Sequence, residues 1–597
     1  MTSLPPVQLS QSQVPRNHYE QHLNPTFIAS QPKIRDVKLS PNGNFILYQV
    51  TQFYRSTPRP ISTLWLAETN KPSSAVPVTQ GEFNDRSGVF HPDGTRILFL
   101  SDRQTPGKRS VLCQLSLVDY ISSVHRDQND DDIVNIANTN AIDNESPSSS
   151  NNLIIDEVLT SPVPKPTTIP EPTILTSKFT LETNIQEFQI SPSGNLIGFI
   201  IDEENVIHHR TEIKKNDVDV IEFGPSSSSR GKSRSSKLGV YDFTTDEIRT
   251  FETRRNRDQR LEGFTWSSDS KEILYRMRWN REMESDQDQI FLESISVVEE
   301  EAKPKYLGSY PRSPSGSHVW LSTGHIASLQ SYEPRNILDA RTLHIHPPPP
   351  VTTVTERIYG IDEDAIRILP ASVHPKGEDD TKNNYDFLAV EVGHDTESRI
   401  DIIVFSPTSP THSSRFTLFR TSSNAIWFNS WDVKRIIPSS SSNPTTPVTY
   451  FFAAVLSSGP HHEPPNIWSG KIQIDLHNNN DGHDDKEEEE EENYKFKSLS
   501  RSNQNLIRLS NHLTWLTKTP PLKTDIIHWK NKDDIQLSGL IRFPPNYHIT
   551  NGRIPTILFI HGGPYRRDIP GTFFFFTLPS PCSLNNKRLH AVFLQLA

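Results

Sequence analysis

The sequence predicts a mainly β chain: an N-terminal β-propeller of about seven blades, followed by the first strands of an incomplete α/β domain. Three observations carry this. One turn-and-strand phrase recurs along the first half of the chain, its first two copies lie 51 residues apart, and near the C-terminus an apolar run leads into a glycine turn.

The phrase is Ser40-Pro-Asn-Gly-Asn-Phe-Ile-Leu-Tyr48. It returns as His91-Pro-Asp-Gly-Thr-Arg-Ile-Leu-Phe99, Ser191-Pro-Ser-Gly-Asn-Leu-Ile-Gly-Phe199 and Ser267-Ser-Asp-Ser-Lys-Glu-Ile-Leu-Tyr275. A fifth copy, Ser313-Pro-Ser-Gly-Ser-His-Val-Trp320, is weaker. In most copies the proline fixes φ for a turn, the Asn/Asp/Ser-Gly pair tolerates positive φ, and the apolar run behind it pairs as a strand. Such a phrase is one hairpin of a blade. The spacing from Pro41 to Pro92 is close to the roughly 40–50 residues of one four-stranded blade. Unrelated hairpins of a β-sandwich are the competing explanation, and four copies of one phrase favour the propeller.

Later spacings are longer because polar stretches interrupt the pattern. Segments 123–178, 226–237, 439–447 and 477–493 are rich in Ser, Asn, Asp, Glu and Pro. Their composition cannot offset the entropy of ordering them, so each is expected to be a disordered insert. With these set aside, residues 31–520 supply seven or eight blades at about 50 residues each, and seven is the expected number. Residues 321–520 hold no clear copy of the phrase, and blades five to seven are expected from runs such as Ile400–Phe405 and Val448–Val455. Residues 1–30 are expected to form an extension ahead of the propeller.

The 597 residues exceed the roughly 100–200 of one domain, and two domains are expected. A formal net charge of −11 leaves no basic face for nucleic acid, which is excluded as a partner. Cys113 and Cys582 are the only cysteines, so no disulfide framework is expected and a reducing compartment suits the chain. The first residues lack a basic patch followed by an apolar core, and no apolar run approaches the ~20 residues of a membrane helix. The expectation is a cytoplasmic protein with no membrane partner. Neither a metal nor a cofactor is expected. The histidine pairs His208-His209, His344/His346 and His461-His462 have no cysteines or carboxylates at zinc-ligand spacing, and are expected on surfaces or in loops. The acidic run Glu487–Glu492 is expected to be a solvated loop, and Pro347–Pro350 a stiff loop between blades.

After about residue 520 the texture changes. Two alternating strands, Asp525–Lys530 and a run from Ile535 to Pro545, precede Arg553-Ile-Pro-Thr-Ile-Leu-Phe-Ile-His-Gly-Gly-Pro564. The uninterrupted apolar run in the last segment suits a strand covered on both faces inside an α/β sheet.

The series WKNKDDIQLSGLIRFPPN followed by IPTILFIHGGP resembles the opening of the α/β-hydrolase domain in the prolyl oligopeptidase family of serine peptidases. A β-propeller ahead of that domain is the family's order. The His-Gly-Gly-Pro form of the turn is most similar to the dipeptidyl-peptidase V and acylaminoacyl-peptidase branch. The architectural resemblance covers most of the chain, whereas the sharp motifs occupy residues 526–568. It implies that 521–568 begins a peptidase catalytic domain, and that the activity is that of a serine exopeptidase acting on short peptides or acyl-peptides.

Acyl transfer builds negative charge on the carbonyl oxygen, and a backbone N–H aimed at that oxygen stabilises the transition state. In α/β-hydrolases one such donor comes from the loop after this strand and a second from the residue following the nucleophilic serine. Matched position by position, the resemblance makes Gly563 the oxyanion N–H donor, with Gly562 shaping the turn and His561 and Pro564 holding its geometry. His561 is expected to pack and hydrogen-bond within the loop, and is not the catalytic histidine.

Serine, acid and histidine follow in that order downstream of such a turn. No serine in the chain has glycine two residues before and two residues after it, and 36 residues follow His561. The expectation is a hydrolase domain broken off near its start, with no triad residue present and no catalysis by this chain. Residues 569–597 hold four consecutive phenylalanines and a Pro/Ser-rich break. They are expected to be a tail foreign to the family, read from an intron; a membrane-seeking or partner-binding tail is the alternative. The strand over 557–560 is then expected to lack its later neighbours and to expose an unpaired edge. The alternative function is a non-catalytic propeller that binds peptides or partner proteins.

Overall fold

The structure, a computed structural model, describes residues 32–52, 59–121, 169–176, 184–203, 235–251, 260–278, 289–299, 301–311, 317–333, 340–348, 356–371, 386–395, 397–405, 414–420, 426–436, 448–458, 465–474, 507–514, 523–543, 548, 550, 556–560 and 592–596. Among the described residues, seven four-stranded sheets follow one another, each an antiparallel meander in chain order. The first comprises β1 to β4 (Pro32–Leu39, Phe45–Gln52, Ser62–Glu68, Val76–Pro77), and the second β5 to β8 (Arg86–Phe90, Arg96–Thr105, Arg109–Ser116, Thr173–Ile174). The third holds β9 to β12 (Asn184–Ile190, Leu196–Glu203, Ser235–Asp242, Glu247–Phe251), and the fourth β13 to β16 (Arg260–Trp266, Glu272–Arg278, Gln289–Ser296, Lys305–Pro311). The fifth holds β17 to β20 (His318–Trp320, Ile326–Ser331, Arg341–His346, Glu356–Arg357), and the sixth β21 to β24 (Asp364–Pro370, Asp386–His394, Glu397–Phe405, Ser414–Arg420). In the seventh are β25 to β28 (Ile426–Ile436, Val448–Ser458, Asn466–Ile474, Ile507–Arg508).

The recurring phrase is the turn between the first and second strands of a sheet. Ser40 N–H donates to Phe45 O and Gly43 N–H to Ser40 O, both at 2.9 Å, and the same pair of bonds recurs at His91, Ser191 and Ser267. Gly43, Gly94 and Gly194 sit at φ 72°, 72° and 79°, the left-handed region that the turn needs. The copy without glycine puts Ser270 there, at φ 63°. The fifth copy is corrected. Its Ser313–Gly316 stretch precedes β17 and lies outside the described residues, while the turn joining β17 to β18 is Leu321–His325, where Gly324 N–H donates to Leu321 O.

A hydrophobic cluster fills the space between each sheet and the next. Strand alternation explains why: Leu47 faces the second sheet with Phe99 and Leu64, whereas Ile46 and Tyr48 on the same strand face the seventh with Ile467 and Leu509. Further clusters join the second sheet to the third, the third to the fourth and so on to the seventh, so the series closes on itself. This ring of antiparallel meanders is a β-propeller. Closure needs no shared strand: Leu39 N–H donates to Asp432 Oδ2 at 2.8 Å, Val37 N–H to Ser430 Oγ at 3.1 Å, and Ala75 N–H to Leu509 O at 3.1 Å.

Other expectations change. Thr173–Ile174, inside the expected insert 123–178, is β8, paired with Cys113 and Gln114. Residues 235–237, the end of the insert 226–237, belong to β11. The inserts 439–447 and 477–493 lie outside the described residues, as do the extension 1–30, His208, His209, His461, His462 and Glu487–Glu492. His344 and His346 are buried in β19, 4% and 3% exposed, so they are neither surface nor loop histidines. Pro347 and Pro348 follow β19, while Pro349 and Pro350 lie outside the described residues; the next strand is β20 of the same sheet, so the run does not connect blades.

Candidate active site

An eighth sheet follows the propeller, built of β29 (Lys523–Lys530), β30 (Gln536–Phe543), β31 (Thr556–Ile560) and β32 (Val592–Leu596), in the spatial order β29-β30-β32-β31. β29 and β30 form an antiparallel hairpin across Asn531–Ile535, where Asp534 takes φ 64°. β31 runs parallel to β32, with Thr556 opposite Val592 and Ile560 opposite Leu596. A parallel pair needs a crossover connection, which falls to residues 561–591, outside the described residues.

His561, Gly562, Gly563 and Pro564 also lie outside the described residues. The structure does fix where they leave the sheet. Ile560 ends β31, so in sequence these residues follow the carboxyl end of a parallel strand, the end at which open α/β sheets place their ligands. β31 is the third strand of this sheet in chain order, and the loop after the third strand is the one that donates an oxyanion N–H in α/β-hydrolases.

One expectation is overturned. The strand over 557–560 has a later neighbour: Val592–Leu596, in the segment 569–597 expected to be a tail foreign to the family, lies between β30 and β31 and pairs with both. Leu594 sits opposite Ile541 on one side and Leu558 on the other. Replacing Leu594 with proline removes a donor from a strand paired on both sides. Amides of Gly539–Arg542 and Thr556–Ile560 are then expected to exchange with deuterium about tenfold faster or more. Unchanged exchange in both stretches would exclude β32 from the sheet.

Two serine–histidine hydrogen bonds among the described residues invite comparison with a nucleophile and its base. Ser538 Oγ and His528 Nδ1 are 2.9 Å apart, but they are directly opposed cross-strand partners with no carboxylate bonded to the imidazole among the described residues. Ser328 Oγ lies 2.8 Å from His346 Nε2 and also accepts from Gln330 Nε2, all within the sheet interior where no substrate reaches. A triad requires a third group that orients the imidazole, and His528 has no carboxylate in that role among the described residues. The Cys113 thiol is buried and pushed up to about 12 by desolvation, so it is inert as a nucleophile. Among the described residues no group of three His, Cys, Asp or Glu side chains is arranged to hold a metal ion, and no helix is long and apolar enough to cross a membrane.

The described fold is a β-propeller followed by a mixed four-stranded sheet, whose third strand in chain order is followed in sequence by His561-Gly-Gly-Pro564. No family model matches the sequence, and no curated protein matches it. Solved structures do match in fold. An acylaminoacyl peptidase in complex with Z-Gly-Gly-Phe-chloromethyl ketone gives a TM-score of 0.51 at 10% identity, over 95% of this chain and 65% of that one. The Pyrococcus horikoshii acylaminoacyl peptidase gives 0.50 at 10% identity, over 95% and 65%. A puromycin hydrolase mutant gives 0.50 at 11% identity, over 95% and 67%. At such identities the likeness is one of fold, and the chain spans about two thirds of the length of the structures it matches.

Proposed function

We propose that this chain is the propeller and the opening of the catalytic domain of a serine exopeptidase of the prolyl oligopeptidase family, in its dipeptidyl-peptidase V and acylaminoacyl-peptidase branch. The seven meander sheets are its blades, the boundary falls near residue 520, and residues 521–568 begin the hydrolase domain. The substrates are short peptides or acyl-peptides, screened by the propeller, in a cytoplasmic setting that suits two distant cysteines. The observation that carries this reading is the mixed sheet ordered β29-β30-β32-β31, with His561-Gly-Gly-Pro564 directly after its third strand. There Gly563 N–H stabilises the oxyanion, Gly562 lets the backbone approach it, and His561 holds the turn.

No Gly-x-Ser-x-Gly elbow occurs in these 597 residues, so this reading assigns no nucleophile to them. Purified 1–597 is therefore expected not to react with a fluorophosphonate probe. Stoichiometric labelling of one serine would overturn that and identify the nucleophile. The absent elbow also supports a second reading, a non-catalytic propeller that binds peptides, which peptide binding without labelling in every natural form of the chain would favour.

A further inference from the structure

The interfaces between neighbouring sheets are not packed alike. Among the described residues, fourteen buried apolar side chains fill the space between the fifth and sixth sheets, twelve that between the third and fourth, and nine the closing seam between the seventh and first. Between the fourth and fifth there are five. Leu274, Ile290, Leu292 and Leu307 come from the fourth sheet and Ile326 alone from the fifth, with Trp320 partly buried beside them.

Strand alternation explains the shortfall. Ile326 shares its face of β18 with Ser328 and Gln330, and the cross-strand partners of these three on β19 are His346, His344 and Thr342. Ala327 and Leu329, on the opposite face of β18, pack toward the sixth sheet. The face turned to the fourth sheet is therefore mostly polar, although none of its five polar side chains is more than 9% exposed.

Polar bonds tie the better-packed interfaces together and would break if those parted. The closing seam holds Leu39 N–H on Asp432 and Val37 N–H on Ser430. Arg341 of the fifth sheet donates Nε and Nη2 to Asp364 of the sixth at 2.8 and 2.6 Å, and Ser322 Oγ donates to Asp386 Oδ2 at 2.8 Å. The polar face turned to the fourth sheet bonds differently. Ser328 Oγ and Gln330 Nε2 each lie 2.8 Å from His346 Nε2, Gln330 Nε2 donates to Ser328 Oγ at 2.7 Å, and Thr342 Oγ1 donates to Tyr359 O at 2.8 Å. These bonds run within the fifth sheet or to the segment directly after it, so they survive when the fourth sheet moves away. Exposing polar groups that keep their partners costs little, whereas the cost of exposing apolar surface grows with its area.

We propose that the propeller ring opens between its fourth and fifth sheets, and that this seam, not the closing one between the seventh and first, is its built-in point of opening. Residues 312–316 still join the two sheets, so the opening tilts one against the other without separating them. The inference stands on packing alone and holds equally for a peptidase and for a binding propeller.

Labelling of the native chain with iodoacetamide tests this in a Cys582→Ser background of 1–597, with peptide mapping to set native Cys113 apart. Ser328→Cys and Ser294→Cys report from the two sides of the seam, Ser294 being the cross-strand partner of Leu274. Ala327→Cys reports from the opposite face of β18 and Ala67→Cys from the closing seam. All four positions are at most 2% exposed. With each rate divided by that of the same variant unfolded in guanidinium chloride, the two seam cysteines are expected to label at least about tenfold faster than the other two. If Ser328→Cys fails to fold for want of its bonds to Gln330 and His346, Ser294→Cys decides alone. Fastest labelling of Ala67→Cys would place the opening at the closing seam, and four equal rates would mean that labelling waits for global unfolding. Either result overturns the proposal.

Discussion

Trp431→Ala is expected to lower the stability of the propeller by about 3–5 kcal/mol, the largest loss from any single truncation considered for its core. Trp431 is 1% exposed, and it packs at the junction of the sixth and seventh sheets against Phe387, Ile402 and Val433. Alanine leaves a cavity between two sheets whose strands are held apart at fixed spacing, so little collapse can fill it. The indole also donates to Glu391 Oε2, and losing that donor leaves a partly buried carboxylate with one bond fewer. Trp431→Phe separates the two contributions: it keeps most of the apolar contact and gives up the hydrogen bond, for a loss of roughly 1–2 kcal/mol. Denaturant titration of both variants reads the difference. A shift under about 1 kcal/mol for the alanine variant would mean that this junction is not packed as described.

What was legible in the sequence was local. The turns at Ser40, His91, Ser191 and Ser267 announce themselves because proline, a short polar residue and a positive-φ position all lie within four residues, and the strand behind each is apolar. The fifth turn was misplaced because Leu321–His325 lacks the proline, while Pro314-Ser-Gly316 just upstream carries the same signal. The sixth and seventh sheets join their first two strands through long connections, 371–385 and 437–447, so no phrase was there to find. β8 is two residues, Thr173 and Ile174, inside a proline-rich stretch, and the start of β11 is polar; what makes them strands is their partners, Cys113 and Gln114 for one and Ile201 to Glu203 for the other. Composition alone assigns them to loops.

The site divides in the same way. The glycine turn is a reading of four consecutive residues, 561–564, which lie outside the described residues. β32 was missed because a five-residue apolar run is ambiguous by itself and its partners, β30 and β31, are distant in sequence.

The burial of His344 and His346 leads to the second large expected effect, a loss of stability in mild acid. In Arg341–His346 the histidines alternate with Leu343 and Ile345, which reads as a strand with one wet face. In a propeller, sheets cover both faces, and the polar face of β19 is buried with Ser328 and Gln330. Desolvation pushes both imidazoles down to about 4, His346 further through its neighbour His344. At the closing seam His512, bonded to Tyr48 Oη at 3.0 Å and edge-on to Trp65, is likewise pushed down to about 4 by burial and then by Arg508. All three are neutral in the folded state at pH 7. Their folded values lie below the ordinary 6.5, so the unfolded chain binds more protons between pH 6.5 and 4. The stabilisation is complete above pH 6.5 and is lost as pH falls toward 4, by about 2 kcal/mol per histidine at pH 5. Asp85 and Glu187, raised by burial, act in the opposite sense and soften the fall. The thermal midpoint is expected to drop steeply from pH 7 to pH 5, and the double variant His344→Asn, His346→Gln to keep roughly a third of that drop, the share left to His512. A midpoint that is flat across this range in the wild-type chain, or a drop that the double variant keeps in full, would show that the β19 imidazoles can be protonated without opening the fifth sheet.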